Sequence, residues 1–219
     1  MSEAPVPPGS GLPLSTEASE PIEAPEVAAL RFTELTLQLA ELLLHEMHRF
    51  AALHRMDIVH LRALLFLERA NRYSNTLAGL TDYLGLTKGT VSKSVSLLEQ
   101  AGHLRRTPDS EDRRLQHLSL TDSGQELVER LLAHLRLGEI ARCMGTSETQ
   151  HAARMLRHVL STCQRLNQRR SFGICQGCRH HRRVNGGGFC GLTQQPLEED
   201  QSQRLCREFA SPWLDVLAV

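Results

Sequence analysis

Four cysteines near the end of the sequence have the residue type and spacing of a metal site. They are Cys175, Cys178, Cys190 and Cys206, separated by two, eleven and fifteen residues. Two thiolates two residues apart can bind one metal ion, and two later cysteines can complete a tetrahedron of sulfur ligands. The spacing therefore predicts a single metal centre held by all four side chains.

The occupant of this centre stays open between three alternatives. Zinc is the commoner structural occupant, whereas an iron–sulfur cluster uses the same ligands and reports redox or iron status. The third alternative is a thiol–disulfide switch, for which Cys175 and Cys178 are the obvious pair. His180 and His181 follow closely, but with four cysteines available we expect both histidines to lie outside the metal shell.

Composition predicts an ordinary globular protein. Of 219 residues, 41% are hydrophobic and 23% charged, which is average for such proteins. We find no apolar run of about 18–20 residues and no secretory signal, so we expect a cytoplasmic protein with no membrane partner. A thiol enzyme using Cys175 and Cys178 is disfavoured because no thioredoxin-like βαβ pattern surrounds the pair. We therefore expect no catalytic residues and no enzymatic activity.

Charge is distributed unevenly although its formal sum is zero. Residues 1–27 hold five Glu and no Lys or Arg, residues 28–170 hold 20 basic against 15 acidic residues, and residues 171–219 hold five of each. A phosphate backbone responds to the charge of the domain that it meets. We therefore divide the chain into a disordered acidic, Pro-rich tail, a basic body that suits nucleic acid, and a cysteine segment.

Hydrophobic periodicity predicts four helices in the first half of the body. The first covers about residues 28–52, and Asp57 caps the second. Gly85 ends a short third helix, and Thr87 caps a fourth, which Gly102 closes. Two short helices joined by a glycine-containing turn, the second rich in Lys, Ser and Thr, are typical of a helix-turn-helix.

The second half of the body begins with two short strands, 103–107 and 115–120, around a charged turn. One helix is then predicted over 121–141, capped by Thr121, and a last long helix begins at Thr146 or Ser147. Cys163 lies on the apolar stripe of that helix and is expected in the core. The fold class is mainly α with a small β-hairpin wing: a winged helix-turn-helix flanked by long helices, with a small cysteine-rich metal-binding tail.

The segment "LTDYLGLTKGTVSKSVSLLEQAGHLRRTPDSEDRRLQHLSLTDSGQEL", residues 80–127, resembles the MarR family of bacterial transcriptional regulators. The family motif is carried here by Thr90-Val91-Ser92, Leu98-Glu99, Gly102, Asp112-Arg113-Arg114, Leu120-Thr121 and Gly124. Length and helix order extend the resemblance to residues 28–170. The cysteine segment, 171–219, lies beyond the usual family domain.

The resemblance implies a homodimer whose first and last long helices pair with those of the partner, so that two recognition helices read a palindromic DNA operator. Such proteins usually repress transcription and lose DNA affinity when a small-molecule effector or oxidant binds. Peroxide-sensing relatives use a cysteine near the first helix, and this chain has none before Cys143. Because the cysteine segment follows the last long helix, we expect it to act through the dimer interface.

Polar residues on the exposed face of the recognition helix are expected to form the DNA-binding site, together with charged residues of the wing. On the helix they are Lys88, Thr90, Ser92, Lys93 and Ser96. On the wing they are Arg105, Arg106, Asp112, Arg113 and Arg114. We expect Arg114 to enter the minor groove, Asp112 to orient it through a bidentate pair, and Arg113 to meet a phosphate.

Two functions remain open for the cysteine segment. In the first, its metal centre senses metal or redox state. In the second, a small apolar or phenolic effector controls DNA binding, and the segment is only a zinc-stapled structural or interaction module.

Overall fold

The computed structural model of the protein describes residues 24–110, 112–184 and 186–212. The predicted disordered tail falls mostly on residues 1–23, outside the described residues. Among the described helices, none combines the length and apolar character needed to cross a bilayer.

The body is a helical assembly with one β-hairpin. Its elements are α1 (Pro25–Leu53), α2 (Ile58–Arg69), α3 (Leu77–Leu84), α4 (Lys88–Gln100), β1 (Leu104–Pro108), β2 (Gln116–Leu120), α5 (Asp122–Leu135), α6 (Leu137–Met144) and α7 (Thr146–Leu166). β1 and β2 pair antiparallel, with Leu104 opposite Leu120. The predicted helix-turn-helix and wing are therefore confirmed.

Short-range capping explains the boundaries around the helix-turn-helix. The Asp57 carboxylate accepts the Val59 N–H at 2.9 Å and caps α2. Thr87 Oγ1 accepts the Thr90 N–H at 3.3 Å and caps α4. Gly85 ends α3 in the left-handed conformation, with φ of 66°, which glycine adopts without steric penalty. All three were predicted from residue type.

Two predictions about the later helices are wrong. The single helix expected over 121–141 is two, because Arg136 takes a left-handed φ of 54° between α5 and α6. Its guanidinium contacts the Glu139 carboxylate at 2.7 Å, which links the break to the next turn. At α7 the N-cap is Gly145, which makes no side-chain capping bond, and Thr146 is already helical.

The core of the body lies between α2, α3, α4, α5 and the hairpin. Its fully buried large side chains are Leu61, Leu64, Phe66, Leu80, Val91, Val95, Leu98, Leu118, Leu127 and Leu131. Three of these form the predicted stripe of α4, which fixes the helix by one face and turns the other outwards.

The long helices α1 and α7 keep large apolar side chains exposed within one protomer. They include Leu35, Leu39 and Leu42 on α1, and Met155, Leu156 and Leu160 on α7. Cys163 is also exposed, so its predicted place in the core is wrong for the single chain. Within the described residues, α7 packs mainly against α6.

The cysteine module, residues 173–212 apart from residue 185, is built from short strands. They are β3 (Gly173–Ile174), β4 (His181–Val184), β5 (Gly187–Cys190), β6 (Gln195–Leu197) and β7 (Leu205–Cys206), with α8 (Glu199–Ser202) before the last. β3 pairs antiparallel with β7, and β4, β5 and β6 form an antiparallel sheet. One 3-10 turn covers Cys175–Gly177.

Gly124 is required at the first turn of α5. A Cβ there would overlap the carbonyl oxygen of His103, which accepts the Thr121 N–H at 3.1 Å. Gly124→Ala should therefore lower the free energy of unfolding by about 1–3 kcal/mol. Gly138→Ala is the matched control, because a Cβ on this helical glycine meets nothing within 4 Å. Urea unfolding should show the control unchanged or stabilised, and equal stabilities for both variants would contradict the packing.

Candidate functional site

Three of the residues predicted to contact DNA are exposed on helix α4. Lys88, Thr90 and Lys93 are exposed, whereas Ser92 and Ser96 are half-buried. Thr87 Oγ1 and Thr90 Oγ1 also lie 2.9 Å apart, so the first turn of α4 is held by two contacts. The exposed face combines short polar side chains with two cations, as major-groove entry requires.

Arg106 and Ser96 are engaged with each other rather than directed outwards. Arg106 Nη2 donates to Ser96 Oγ at 3.0 Å, and its Nε lies 3.0 Å from Glu99 Oε2. Arg106 thereby ties β1 to α4. On the same strand Arg105 is exposed, and its Nε donates across the hairpin to Ser119 Oγ at 3.1 Å.

The wing turn exposes Asp112, Arg113 and Arg114. Asp112 accepts the backbone N–H of Arg114 at 2.9 Å, and its own N–H donates to Asp109 Oδ1 at 2.8 Å. The bidentate pair predicted between Asp112 and the Arg114 guanidinium is therefore wrong. At this spacing an aspartate side chain bonds the backbone two residues on, so Asp112 shapes the turn and the Arg114 guanidinium extends from it.

The loop Ala70–Thr76, between α2 and α3, fastens the wing. Asn75 O accepts the Leu118 N–H at 2.6 Å, and Asn75 Oδ1 lies 2.8 Å from His117 Nδ1. His117 Nε2 in turn lies 2.9 Å from Asp109 Oδ2. The wing is thus held at its base by a loop that the sequence analysis did not assign to any site.

The four cysteines converge on one cavity. Cys175, Cys190 and Cys206 are buried, and Cys178 is half-buried. The cavity, of about 650 Å³, is lined by all four sulfur-bearing residues and also by the wing residues Asp109, Asp112, Leu115 and His117. The side chains predicted to share a metal centre are therefore brought together, next to the wing.

The thiols of Cys175 and Cys206 interact. Cys175 has the largest influence on the pKa of Cys206, and together with the Asn71 amide and the Glu208 N–H it outweighs burial and lowers that pKa to about 7. The pKa of Cys175 is raised by the same contact, by burial and by the other sulfurs. Cys175 lies against Cys206 because β3 pairs with β7, and a Cys175–Cys178 disulfide stays a prediction.

The metal shell itself is not closed. Among the described residues, no three His, Cys, Asp or Glu side chains are arranged as ligands of one ion. Cys178 Sγ accepts the Ala210 N–H at 3.3 Å, and His181 Nε2 lies 3.3 Å from Ser202 Oγ. The four cysteines share this cavity with His180.

The cysteine module docks on the loop that precedes the helix-turn-helix. Asn71 N–H donates to Leu205 O at 2.9 Å, and the Arg207 N–H donates to Ser74 Oγ at 2.7 Å. Asn71 and Ser74 are fully buried, although their residue types favour the surface. No sequence pattern marked this contact, because it joins residues more than 130 positions apart.

Aromatic and arginine side chains extend the same interface. Phe172 packs edge-on against Phe66 and Tyr83, with ring centroids 5.8 and 5.3 Å apart. Arg207 Nε lies 2.7 Å from Asp82 Oδ2 on α3, and Arg204 Nη1 donates to Glu68 O on α2 at 2.9 Å. The module is therefore attached to the two helices on either side of the loop.

Comparison with known proteins shows what the helical body is similar to. Residues 54–115 match the sequence model of the MarR family. The chain is 25% identical over 138 residues to the transcriptional repressor MprA of Escherichia coli, across 62% of this chain and 78% of the relative. It is 30% identical over 71 residues to the uncharacterized HTH-type transcriptional regulator YwaE of Bacillus subtilis, across 32% and 42% of the two chains.

A solved structure has the same fold. A variant of MepR from Staphylococcus aureus superposes with a TM-score of 0.53 at 21% identity, covering 61% of this chain and 97% of that chain. The superposition shows a winged-helix fold for the body. The match to the MarR family model supports the resemblance seen in residues 80–127 as far as residue 115. The family match ends at residue 115, before the cysteine module.

Oxidation of metal-free protein tests the thiol pairing. A diazene oxidant such as diamide takes two electrons and two protons from two neighbouring thiols and joins their sulfurs. Because Cys175 and Cys206 are in hydrogen-bond contact, the first disulfide mapped by mass spectrometry should join these two. Cys206→Ser should suppress it, and Cys163→Ser should not, since Cys163 is exposed on α7. A dominant Cys175–Cys178 disulfide would contradict the arrangement.

Proposed function

We propose that the protein is a sequence-specific DNA-binding transcriptional regulator that acts as a homodimeric repressor on a palindromic operator. The observation that carries the proposal is the exposed face of α4, anchored by its buried stripe, beside a wing turn that exposes Arg113 and Arg114. The description of MprA as a transcriptional repressor supports it. The protein is on this proposal a binding protein and not an enzyme.

The geometry supports distinct roles for the basic residues. α4 enters the major groove with Thr90 and Ser92, while Lys88 and Lys93 meet phosphates or guanine edges. Arg114 enters the minor groove, where narrow A·T-rich stretches concentrate negative potential. Arg106 positions α4 and the wing, because its guanidinium is already bound to Ser96 and Glu99.

The homodimer is supported by the apolar faces of α1 and α7. Contiguous leucines and a methionine on these helices remain exposed in one protomer, and a monomer that leaves such a surface in water forgoes about 25 cal/mol per Å² of apolar area. A second copy of the chain would cover both helices and set the spacing of two recognition helices at about one turn of DNA.

We also propose that the four cysteines bind one metal centre, zinc or alternatively an iron–sulfur cluster, that senses metal or redox state. Support comes from their convergence on one cavity and from the N–H donors around the sulfurs, since metal ligands are commonly held by such outer hydrogen bonds. Closing a four-sulfur shell requires replacing the Cys175–Cys206 thiol bond by two bonds to the metal, with loss of the protons.

A second candidate is control by a small apolar effector, with the module as a structural staple. A cleft of about 510 Å³ between α7 and the module favours it; this cleft is lined by His158, Phe172, Phe209 and Pro212 among others. Release of operator DNA by an apolar compound from a variant lacking all four cysteines would support this alternative.

Arg114→Ala should weaken operator binding by about 1–3 kcal/mol, because a minor-groove arginine is lost. Operator DNA is selected by the protein from a random pool, and affinity is measured by fluorescence anisotropy. Arg142→Ala, an exposed arginine on α6, is the matched control and should bind as the wild type does. Both variants should sediment as dimers. Equal affinities for the two variants would remove the wing from the mechanism.

Metal content tests the cysteine centre. If the four sulfurs share one ion, replacing any one of them by Ser should lower bound metal to near the level of the fourfold variant. Cys143→Ser and Cys163→Ser, both exposed and outside the cluster, are controls that should retain metal. Protein purified without oxygen is measured by elemental analysis and visible absorbance, and colour distinguishes a cluster from zinc. Metal retained by the fourfold variant would show that the site is wrong.

A further inference from the structure

Asn71 lies where the cysteine module, the loop Ala70–Thr76 and the recognition element meet. Its side chain is completely buried. Oδ1 accepts from Ser74 Oγ at 2.7 Å and from the Tyr73 N–H at 3.2 Å, which fixes the turn. Its backbone N–H binds Leu205 O at 2.9 Å, one residue before Cys206.

The amide nitrogen of Asn71, Nδ2, is less well satisfied than the amide oxygen. Nδ2 is buried and makes no hydrogen bond of good geometry among the described residues, although the amide lies near enough to the Cys206 sulfur to lower the pKa of that thiol. A buried N–H without an acceptor is costly, and such a group in a folded protein calls for an explanation, of which an absent water or ion is one. A metal-bound sulfur of Cys206 would supply the acceptor.

The loop that Asn71 fixes has two further attachments on the DNA-binding side. Thr76 Oγ1 accepts the Gly79 N–H at 3.1 Å and caps α3. Asn75 holds the wing strand β2 through Leu118 and His117. Any displacement of the loop therefore moves the start of the helix-turn-helix and the base of the wing together.

We propose that Asn71 is a positioning residue of the cysteine centre, donating from Nδ2 to Cys206 when a thiophilic cation is bound, and that this contact links metal occupancy to α3 and the wing. The inference rests on the proposed metal centre and DNA binding. The sequence led us to expect that the cysteine segment acts through α7 and the dimer interface. The coupling proposed here takes a different route, because the module is hydrogen-bonded directly to the loop before α3.

Ser74 strengthens the same link from within the same turn. Its hydroxyl donates to Asn71 Oδ1 and accepts the N–H of Arg207, the residue after Cys206. The two residues that flank Cys206 are thus both bonded to the Asn71–Ser74 turn. A shift of Cys206 on metal binding should therefore be transmitted to the turn through these two hydrogen bonds.

The test replaces the Nδ2 donor and keeps the Oδ1 acceptor. Asn71→Asp presents an oxygen to Cys206 where the wild type presents an N–H, while the bonds to Ser74 and Tyr73 can persist. Cobalt(II) affinity is measured on the full-length chain by competition with a chelator, following the thiolate-to-cobalt absorbance. Operator affinity is measured with saturating cobalt and without metal, and the ratio of the two dissociation constants is the readout. Asn167→Asp, an exposed asparagine at the end of α7, is the matched control.

The wild type and the control should show a ratio on the order of 5- to 150-fold, the usual range of coupling between two sites. Asn71→Asp should bind cobalt more weakly and, at saturating cobalt, bring the ratio towards one. If Asn71→Asp has the cobalt affinity and the ratio of the wild type, the inference is overturned. The proposals of a metal centre and of DNA binding would remain. A wild type that binds no cobalt overturns the metal centre and the inference together, and one that binds no DNA overturns the proposed function.

Circular dichroism establishes that each variant is folded. If Asn71→Asp does not fold, Ser74→Ala serves instead, because it removes the hydroxyl that bonds Asn71 Oδ1 and the Arg207 backbone but keeps the Asn71 Nδ2 donor. Its cobalt stoichiometry should match the wild type while the ratio falls. An unchanged ratio in Ser74→Ala would contradict the coupling through this turn.

Discussion

The arrangement of the module on the body depends on the hydrogen bonds between the turn at residues 71–74 and the segment around strand β7. Two backbone groups that flank Cys206, Leu205 O and Arg207 N–H, are bonded to this turn at 2.9 and 2.7 Å. Buried hydrogen bonds are worth little in net stability but are costly to leave unmade, so the turn and the strand are constrained to move together. A segment that would otherwise be an appendage thereby becomes part of the support of the helix-turn-helix.

The proposed DNA-binding surface separates residues that position it from residues that would contact DNA. Arg106 and Asp112 are engaged in contacts within the chain, one tying β1 to α4 and the other shaping the wing turn. Lys93 and Arg114 are exposed. On the proposed function, these two residues would reach bases and phosphates from a surface whose shape is already set, which would lower the ordering cost of binding.

Local structure was predictable from the sequence, whereas contacts between distant residues were not. Asp57 and Thr87 cap their helices and Gly85 ends α3, because each effect operates within four residues. The break at Arg136 escaped prediction, since arginine rarely adopts a left-handed conformation. The pairing of Cys175 with Cys206, and the burial of Asn71, depend on the register of β3 against β7, which neither residue spacing nor periodicity encodes.

Hydroxyl-radical footprinting of the metal-loaded and metal-free protein on its selected operator tests the account most directly. With metal bound, two protected half-sites should appear with centres about one helical turn apart, each including a minor-groove protection from the wing. Without metal, the half-site spacing should persist while the minor-groove protections weaken, because the loop no longer holds the wing base. Identical footprints for both forms would contradict coupling between the cysteine centre and the winged helix, and the absence of any footprint would contradict DNA recognition itself.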